Sequence, residues 1–311
     1  MEKKILIVGG GPAGLTAGIY GLRSGLKPVI VEQSFFGGTI NLTDRVENYP
    51  GFPEGIEGNL LAHAMEQQYK NLGGTFISGR VTAVIPGERL HTLVLSTGEK
   101  LNAPVVILAT GTSRKKLGVA GEERLAGRGV SYCALCDGAF FRNKKVAVVG
   151  GGDSALRESL YLSRMVSHCF LIHRRESFRG QAFLQEEVRK NEKITCLLST
   201  VVESIEGEKQ VEEIILRHLP SGKIEKLPVA GVFISIGQKP NTEFLGQILR
   251  LNSSGHIITD ETMATSQPGI FACGDVREKQ LYQIITACSD GAIAAYFAER
   301  YLSQLKNSGQ V

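Results

Sequence analysis

The sequence predicts an α/β fold: two Rossmann-like dinucleotide-binding domains, the second inserted into the first. Three observations carry the prediction. A strand–glycine loop–helix pattern occurs twice, as KKILIVGGGPAG at residues 3–14 and KKVAVVGGGDSA at residues 144–155. Each copy is followed by an apolar return strand ending in Gly, VVILATG at 105–111 and GVFISIG at 231–237. A third strand of this kind, GIFACGD at 269–275, has no counterpart in the second copy. It reads as the strand that completes the first domain after the second has been inserted. A length of 311 residues suits two domains at ~150 residues each.

The first loop fits G-x-G-x-x-G at Gly9, Gly11 and Gly14, and the second fits G-x-G-x-x-A at Gly150, Gly152 and Ala155. In such a loop the first Gly makes the tight turn and the second lets backbone N–H groups approach a pyrophosphate. The third small residue lets the helix pack on the strand. One such loop is a weak signal; two, 141 residues apart and each set between strand and helix, are a strong one. The copies differ where a ribose would be read. After the first loop the strand PVIVE ends at Glu32, whose carboxylate can accept hydrogen bonds from ribose hydroxyls. The equivalent residue of the second copy is His173, in the string HRRESFR, with Arg174, Arg175 and Arg179 beside it. Guanidinium groups form charge-assisted, often bidentate bonds to phosphate, so this string suits the 2′-phosphate of NADP(H). A solvated basic face is the alternative for the three arginines.

Between loop and return strand, the second copy alternates β-branched and polar residues, as in KITCLLSTVVESIEG and VEEIILRHLP. The layout that follows is residues 1–113 with 245–311 as one domain and residues 114–244 as the other. Candidate hinges lie near residues 112–116 and 238–241. Asp275 stands just past the third strand, where ligands collect in parallel α/β sheets. It can accept hydrogen bonds from a polyol such as a ribityl chain, or it can cap a turn. An Ala- and Ile-rich pattern from Gln283 to about Leu305 predicts a long buried helix. Its N-terminal end carries partial positive charge, which would favour an anionic reduced flavin ring.

Of six cysteines only Cys133 and Cys136 are closely spaced. After Met1-Glu2-Lys3-Lys4 only four apolar residues precede Gly9, too few for an export signal, which predicts a cytoplasmic protein. There, a single C-x-x-C reads as a redox dithiol or half of a zinc site. Zinc needs two further ligands, usually a second C-x-x-C or paired His, and none is spaced to supply them, so no metal is expected. A C-x-x-C pair can close a disulfide and often lowers one thiol pKa. Its thiolate can attack another disulfide, and the second cysteine then resolves the mixed disulfide. Asp137, next in the chain, can carry the accompanying proton. A dithiol and a nicotinamide cannot share one flavin face, so domain motion is expected. Cys169, Cys196, Cys273 and Cys288 read as buried apolar fillers.

Composition closes off other classes. Basic and acidic residues number 35 and 31, a net charge of +4, too balanced for a nucleic-acid binder. No apolar run approaches the ~20 residues of a membrane helix. Fractions of 42% hydrophobic and 21% charged residues argue against disorder.

Taken together, GGGPAG at 9–14, VENYPGFPEG at 46–55, ATG at 109–111, CALCDG at 133–138, GGGDSA at 150–155, HRRESFR at 173–179 and GIFACGD at 269–275 resemble the bacterial-type, low-molecular-weight thioredoxin reductases over nearly the whole chain. The resemblance implies an FAD-containing homodimer that reduces thioredoxin, or a thioredoxin-like protein, with NADPH. It makes residues 1–113 and 245–311 the FAD domain and residues 114–244 the NADPH domain carrying the C-x-x-C. FAD would contact Gly9, Gly11, Pro12, Ala13, Gly14, Glu32, Gly38, Asn48, Val81, Ala109, Thr110, Gly111, Gly274, Asp275, Gln283 and Ile284. NADPH would contact Gly152, Asp153, Ser154, His173, Arg174, Arg175, Arg179, Ile236 and Gly237. By the same resemblance Cys133 attacks the thioredoxin disulfide, Cys136 sits nearer the flavin and Asp137 is the acid. Four places depart from the family pattern: Tyr282-Gln283 for Arg-Gln, Gly37-Gly38-Thr39 for Gly-Gly-Gln, ACSDG at 287–291 for AAGDG, and Arg157 for a Glu, with Glu158 retained.

Rival functions differ in their sequence needs. A dithiol oxidase needs no NADPH, which GGGDSA and HRRESFR argue against. A ferredoxin–NADP reductase of this type lacks the C-x-x-C, which Cys133 and Cys136 argue against. Reduced ferredoxin as donor to the same dithiol, and a non-catalytic flavin redox sensor, are the remaining alternatives.

Overall fold

In the computed structural model, which describes residues 4–43 and 45–307, the apolar runs before the two glycine loops are the strands Lys4–Val8 and Lys145–Val149. Each is buried over its last four residues, as a strand flanked by layers on both faces must be. Strand Lys4–Val8 is central in a five-stranded parallel sheet, in the order Ile270–Ala272, Val105–Leu108, Lys4–Val8, Lys27–Glu32, Thr75–Ser78. Strand Lys145–Val149 is central in a second, in the order Ile194–Leu197, His168–Ile172, Lys145–Val149, Gly231–Ile234, Val130–Ser131. The sequence repeat holds in register: Ile5 pairs with Pro28 and Val105, and Val146 pairs with Cys169 and Gly231. Because all these strands are parallel, their carboxyl ends share one edge of each sheet, and the glycine loops lie on that edge.

Alternation along the central strands divides each core into two layers. Ile5 and Ile7 pack with Leu15 and Ile19 of the helix Pro12–Arg23 and with Ala294, Ala295 and Ala298 of the final helix Ile284–Asn307. Leu6 and Val8 pack with Val84 and Leu93 of an antiparallel sheet formed by Val81–Ile85, His91–Leu95 and Lys100–Ala103. The second sheet repeats the scheme. Val146 and Val148 meet Leu156 and Leu162 of the helix Asp153–Ser163, while Ala147 and Val149 meet Val202 and Ile214 of the antiparallel sheet Thr200–Glu206, Glu213–His218, Ile224–Pro228.

The chain forms two compact units, Met1–Ser113 with Lys239–Val311, and Arg114–Gln238. Residues 239–244, which the sequence assigned to the insertion, belong instead with the first unit. Asn241 ties them there: its amide donates to Thr110 O at 2.8 Å and its carbonyl accepts from the Thr110 hydroxyl at 2.9 Å. The final helix also departs from its prediction, because Ile285 and Tyr296 are about half exposed, so it is amphipathic rather than wholly buried. No helix among the described residues is long and apolar enough to cross a membrane.

Candidate functional site: two glycine loops and a disulfide

The first loop is shaped by contacts that only small residues permit. Gly9 has φ +107°, a left-handed backbone, and a Cβ there would lie 2.4 Å from Ala109 O. A Cβ on Gly14 would lie 1.9 Å from Gly9 O, so the helix Pro12–Arg23 starts in direct contact with the loop. Gly11, by contrast, faces open space. It is the N-cap of that helix, no side chain caps it, and Pro12 follows at the first turn. The first-turn N–H groups are thus left for an anion. Glu32 accepts from Gly10 N–H at 2.7 Å and from Ser34 N–H at 2.9 Å, which fixes its carboxylate beside the loop.

Other parts of the first unit close around this loop. A Cβ on Gly38 would come 3.6 Å from Gly11 Cα. Ala109, Thr110 and Gly111 leave the neighbouring strand on the same edge, and Val81 is buried at the start of the antiparallel sheet. Asn48 donates to Gln283 Oε1 at 3.0 Å, directly before Ile284 opens the final helix. Gly274 N–H donates to Asp290 Oδ2 at 3.1 Å, and a Cβ on Gly291 would lie 2.2 Å from Ala13 O, so the final helix clamps both loop and strand end. Asp290 also pairs with Arg277 and Lys279, each at 3.2 Å, and Lys279 lies at ion-pair distance, 3.3 Å, from Asp275 Oδ1. Burial raises the Asp275 pKa against the pull of Lys279. Tyr282, the departure from the family's Arg, packs its ring at a tilt against His256, 5.6 Å between centroids, and takes Lys279 over its ring at 5.7 Å. The structural part played by Asp290 and Lys279 was not visible in sequence, since pairing across 11 and 16 residues has no local signature.

The second loop repeats this construction inside the second unit. A Cβ on Gly150 would lie 2.3 Å from Ser235 O and 2.6 Å from Ala155 Cβ, whereas Gly152 faces open space and caps its helix without a side chain. Asp153 Oδ1 accepts from Gln181 N–H at 2.7 Å, and Arg179 N–H donates to Gly151 O at 2.7 Å. These bonds draw the HRRESFR string to the loop. The side chains of Ser154, Arg174 and Arg175 are exposed there, and Ile236 and Gly237 follow the return strand. His173 is buried over Gly151 and beside Phe178. Burial, then Arg179, then Arg175 and Arg174, lower its pKa and favour the neutral ring.

Cys133 and Cys136 form a disulfide across the one-turn helix Ala134–Asp137. Cys133 follows the edge strand Val130–Ser131, which places it on the carboxyl edge of the same sheet as the second loop. Cys136 N–H donates to Cys133 Sγ at 3.2 Å. The buried Ser131 hydroxyl donates to Asp137 Oδ2 at 2.6 Å and accepts from Cys133 N–H at 3.1 Å, a link that sequence reasoning missed. Of the remaining cysteines, Cys169, Cys273 and Cys288 are buried and Cys196 is half-buried. Burial pushes the Cys169 and Cys273 thiols well above the usual range.

Three buried side-chain atoms among the described residues lack a hydrogen-bond partner of good geometry: Asp275 Oδ1, His173 Nε2 and Glu158 Oε2. Asp275 belongs to the first loop's site and the other two to the second. An unpaired buried polar atom costs ~1–3 kcal/mol, so its presence beside an open glycine cradle fits a ligand that supplies the partner. The donor sets fit dinucleotides. Each site offers uncapped helix N–H groups for a pyrophosphate, with a carboxylate for ribose in the first and arginines for a 2′-phosphate in the second.

Residues 3–291 match the pyridine nucleotide-disulphide oxidoreductase family. The chain is 43% identical to a thioredoxin reductase of Listeria innocua over 305 residues, covering 98% of this chain and 95% of that one. It is 41% identical to a thioredoxin reductase of Bacillus subtilis over 305 residues, covering 98% and 96%. Its structure matches that of the thioredoxin reductase from Streptococcus pyogenes with a TM-score of 0.93 at 40% identity, over 98% of this chain and all of that one. The chain therefore belongs to the pyridine nucleotide-disulphide oxidoreductases and, within them, groups with the thioredoxin reductases.

Proposed function

We propose that the protein passes electrons from NADPH at the second loop, through FAD at the first, to the Cys133–Cys136 pair and on to the disulfide of thioredoxin or a thioredoxin-like protein. The observation that carries this reading is the disulfide itself, set just past the edge strand of the second sheet with a main-chain N–H aimed at Cys133 Sγ. Bound FAD would supply two-electron chemistry, accepting a hydride from NADPH and delivering the pair of electrons to the disulfide. In the reduced protein, the Cys136 N–H favours the thiolate at Cys133 over that at Cys136. The Cys133 thiolate attacks the partner disulfide and forms a mixed disulfide. Cys136 then attacks Cys133 Sγ, restoring the internal disulfide and releasing the partner as a dithiol. Asp137, held by Ser131, supplies the proton to the leaving sulfur. The reading includes a cytoplasmic homodimer, whose second copy would cover the exposed side chains Tyr20, Ile285 and Tyr296 of the first unit.

Anaerobic titration of the purified yellow protein with NADPH and with NADH tests it. NADPH is expected to bleach the flavin rapidly and support reduction of added thioredoxin. Cys133→Ser and Cys136→Ser should abolish thioredoxin reduction while leaving flavin bleaching intact. No bleaching by NADPH, or disulfide turnover that survives either substitution, refutes the reading.

A further inference from the structure

The pairing of Val130–Ser131 with Val232 and Phe233 ends at Ser131, so the ladder stops before the redox pair begins. Val130 and Tyr132 share one face of this edge, in the layer that holds Leu125 and Val211, while Ser131 faces the other way, to Asp137. The Tyr132 hydroxyl donates to Glu122 Oε1 at 2.7 Å. Glu122 is fully buried, and its carboxylate also accepts from Leu117 N–H at 3.0 Å and from Gly118 N–H at 2.6 Å. Three donors thus meet a charge that would otherwise be costly to bury. The turn beneath it is fixed: Gly118 has φ +78°, Ile205 N–H donates to Ala120 O at 2.9 Å, and a Cβ on Gly121 would lie 1.8 Å from Ile205 O.

Two of the three bonds close the turn locally, across four and five residues. The third spans ten and ends on the residue before Cys133. Opening the disulfide removes the covalent link across the helix Ala134–Asp137, and Cys133 is then held near Cys136 by the non-covalent framework around it. We propose that Glu122 is a positioning residue for the dithiol: through Tyr132 it keeps Cys133 beside Cys136 in the reduced protein and so favours closure of the disulfide. Closure joins the two sulfurs at an entropic cost for ordering the chain that carries them. A chain already held at Tyr132 has less of that freedom left to lose. The coupling is reciprocal, so the tie and the disulfide stabilise one another. The proposal rests on the reading that Cys133 and Cys136 cycle between dithiol and disulfide.

Equilibration of the FAD-loaded protein in dithiothreitol buffers, with the ratio of cyclic disulfide to dithiol stepped, tests it. As the protein pair closes, two electrons and two protons pass to the cyclic disulfide, which opens to the dithiol. Acid quenching, alkylation and mass measurement of the peptide carrying both cysteines read the dithiol fraction. Tyr132→Phe removes the hydroxyl and keeps the ring. It should shift the equilibrium toward the dithiol about five- to tenfold, which raises the potential by roughly 20–30 mV at about 30 mV per tenfold. Glu122→Gln keeps a carbonyl to accept from Tyr132 and should stay within about twofold of wild type. An unchanged equilibrium in Tyr132→Phe, or a shift toward the disulfide, overturns the proposal. So does a shift in Glu122→Gln with none in Tyr132→Phe, because the effect then bypasses the tyrosine. A wild-type pair that stays oxidised in dithiothreitol alone would overturn the redox reading itself.

Discussion

Glu158→Gln should stabilise the nucleotide-free protein, and should do so only where the carboxyl group would ionise. Burial raises the Glu158 pKa from 4.5 to about 7, with the Ser235 bond opposing the rise. The folded state therefore holds this proton over a range in which the unfolded chain has released it. The stability associated with the raised pKa is fully present below pH 4.5 and is lost as pH rises through 7. Between pH 5 and pH 8 the loss is ~2.5 kcal/mol at 1.36 kcal/mol per pKa unit. A glutamine of nearly the same shape does not titrate and should escape it. Urea unfolding followed by circular dichroism reads the effect. With a slope of ~2 kcal/mol per M, the midpoint of the variant relative to wild type should rise by roughly 1 M more at pH 8 than at pH 5. A gap between the two proteins that stays constant with pH, or no gap at all, refutes the reasoning.

Two further outcomes follow from the loops. Replacing Arg174 and Arg175 together by Gln should reduce the preference for NADPH over NADH by ~100-fold or more, at ~1.5–3 kcal/mol per charge-assisted bond, with NADH turnover little changed; steady-state kinetics with both nucleotides check it, and an unchanged ratio assigns these arginines to a solvated face. Gly14→Ala places a methyl 1.9 Å from Gly9 O, so the helix must shift at a cost of ~1–3 kcal/mol. The purified variant should lose most of its flavin absorbance, and full flavin content would show that the first loop is not the site.

The repeat made the two sheets legible, because each glycine loop is bounded by a strand whose apolar run is buried on both faces. The unbroken apolar run of Ile5, Leu6, Ile7 and Val8, with no polar residue on either face, suits a central parallel strand and not an edge. The ribose-reading positions were legible for the same reason: the equivalence of Glu32 and His173 is a property of spacing alone. What escaped was whatever depends on pairing between distant segments. Ser131 and Asp137 flank the C-x-x-C pair, but that motif asks for nothing at the position of Ser131, and their 2.6 Å bond forms because the chain turns back at Cys133. Asn241 falls with the first unit because its side chain and main chain bond Thr110 and Gly111, residues some 130 positions earlier. The final helix read as buried because Ala and Ile dominate its composition, yet Tyr296 turns to the outside.

The unpaired atoms add a kind of support for the nucleotide sites that no motif can supply. A glycine loop states only that a backbone could approach an anion, and many turns meet that condition. His173 Nε2 and Glu158 Oε2 state something different: at the second site the folded chain buries polar atoms with no protein hydrogen bond, and at the first it leaves Asp275 Oδ1 with only the Lys279 ammonium, 3.3 Å away. At ~1–3 kcal/mol each, His173 Nε2 and Glu158 Oε2 amount to a sizeable part of the ~5–15 kcal/mol that keeps a domain folded. Scattered through the core they would be packing faults. They fall instead just past strand ends of the two parallel sheets, at Asp275 and His173, and on the helix opened by the second glycine loop, at Glu158. A ligand that binds only the folded chain and supplies those partners returns the cost as affinity. Substituting such an atom by a neutral isostere should therefore separate stability from binding, which a residue of purely structural role would not do.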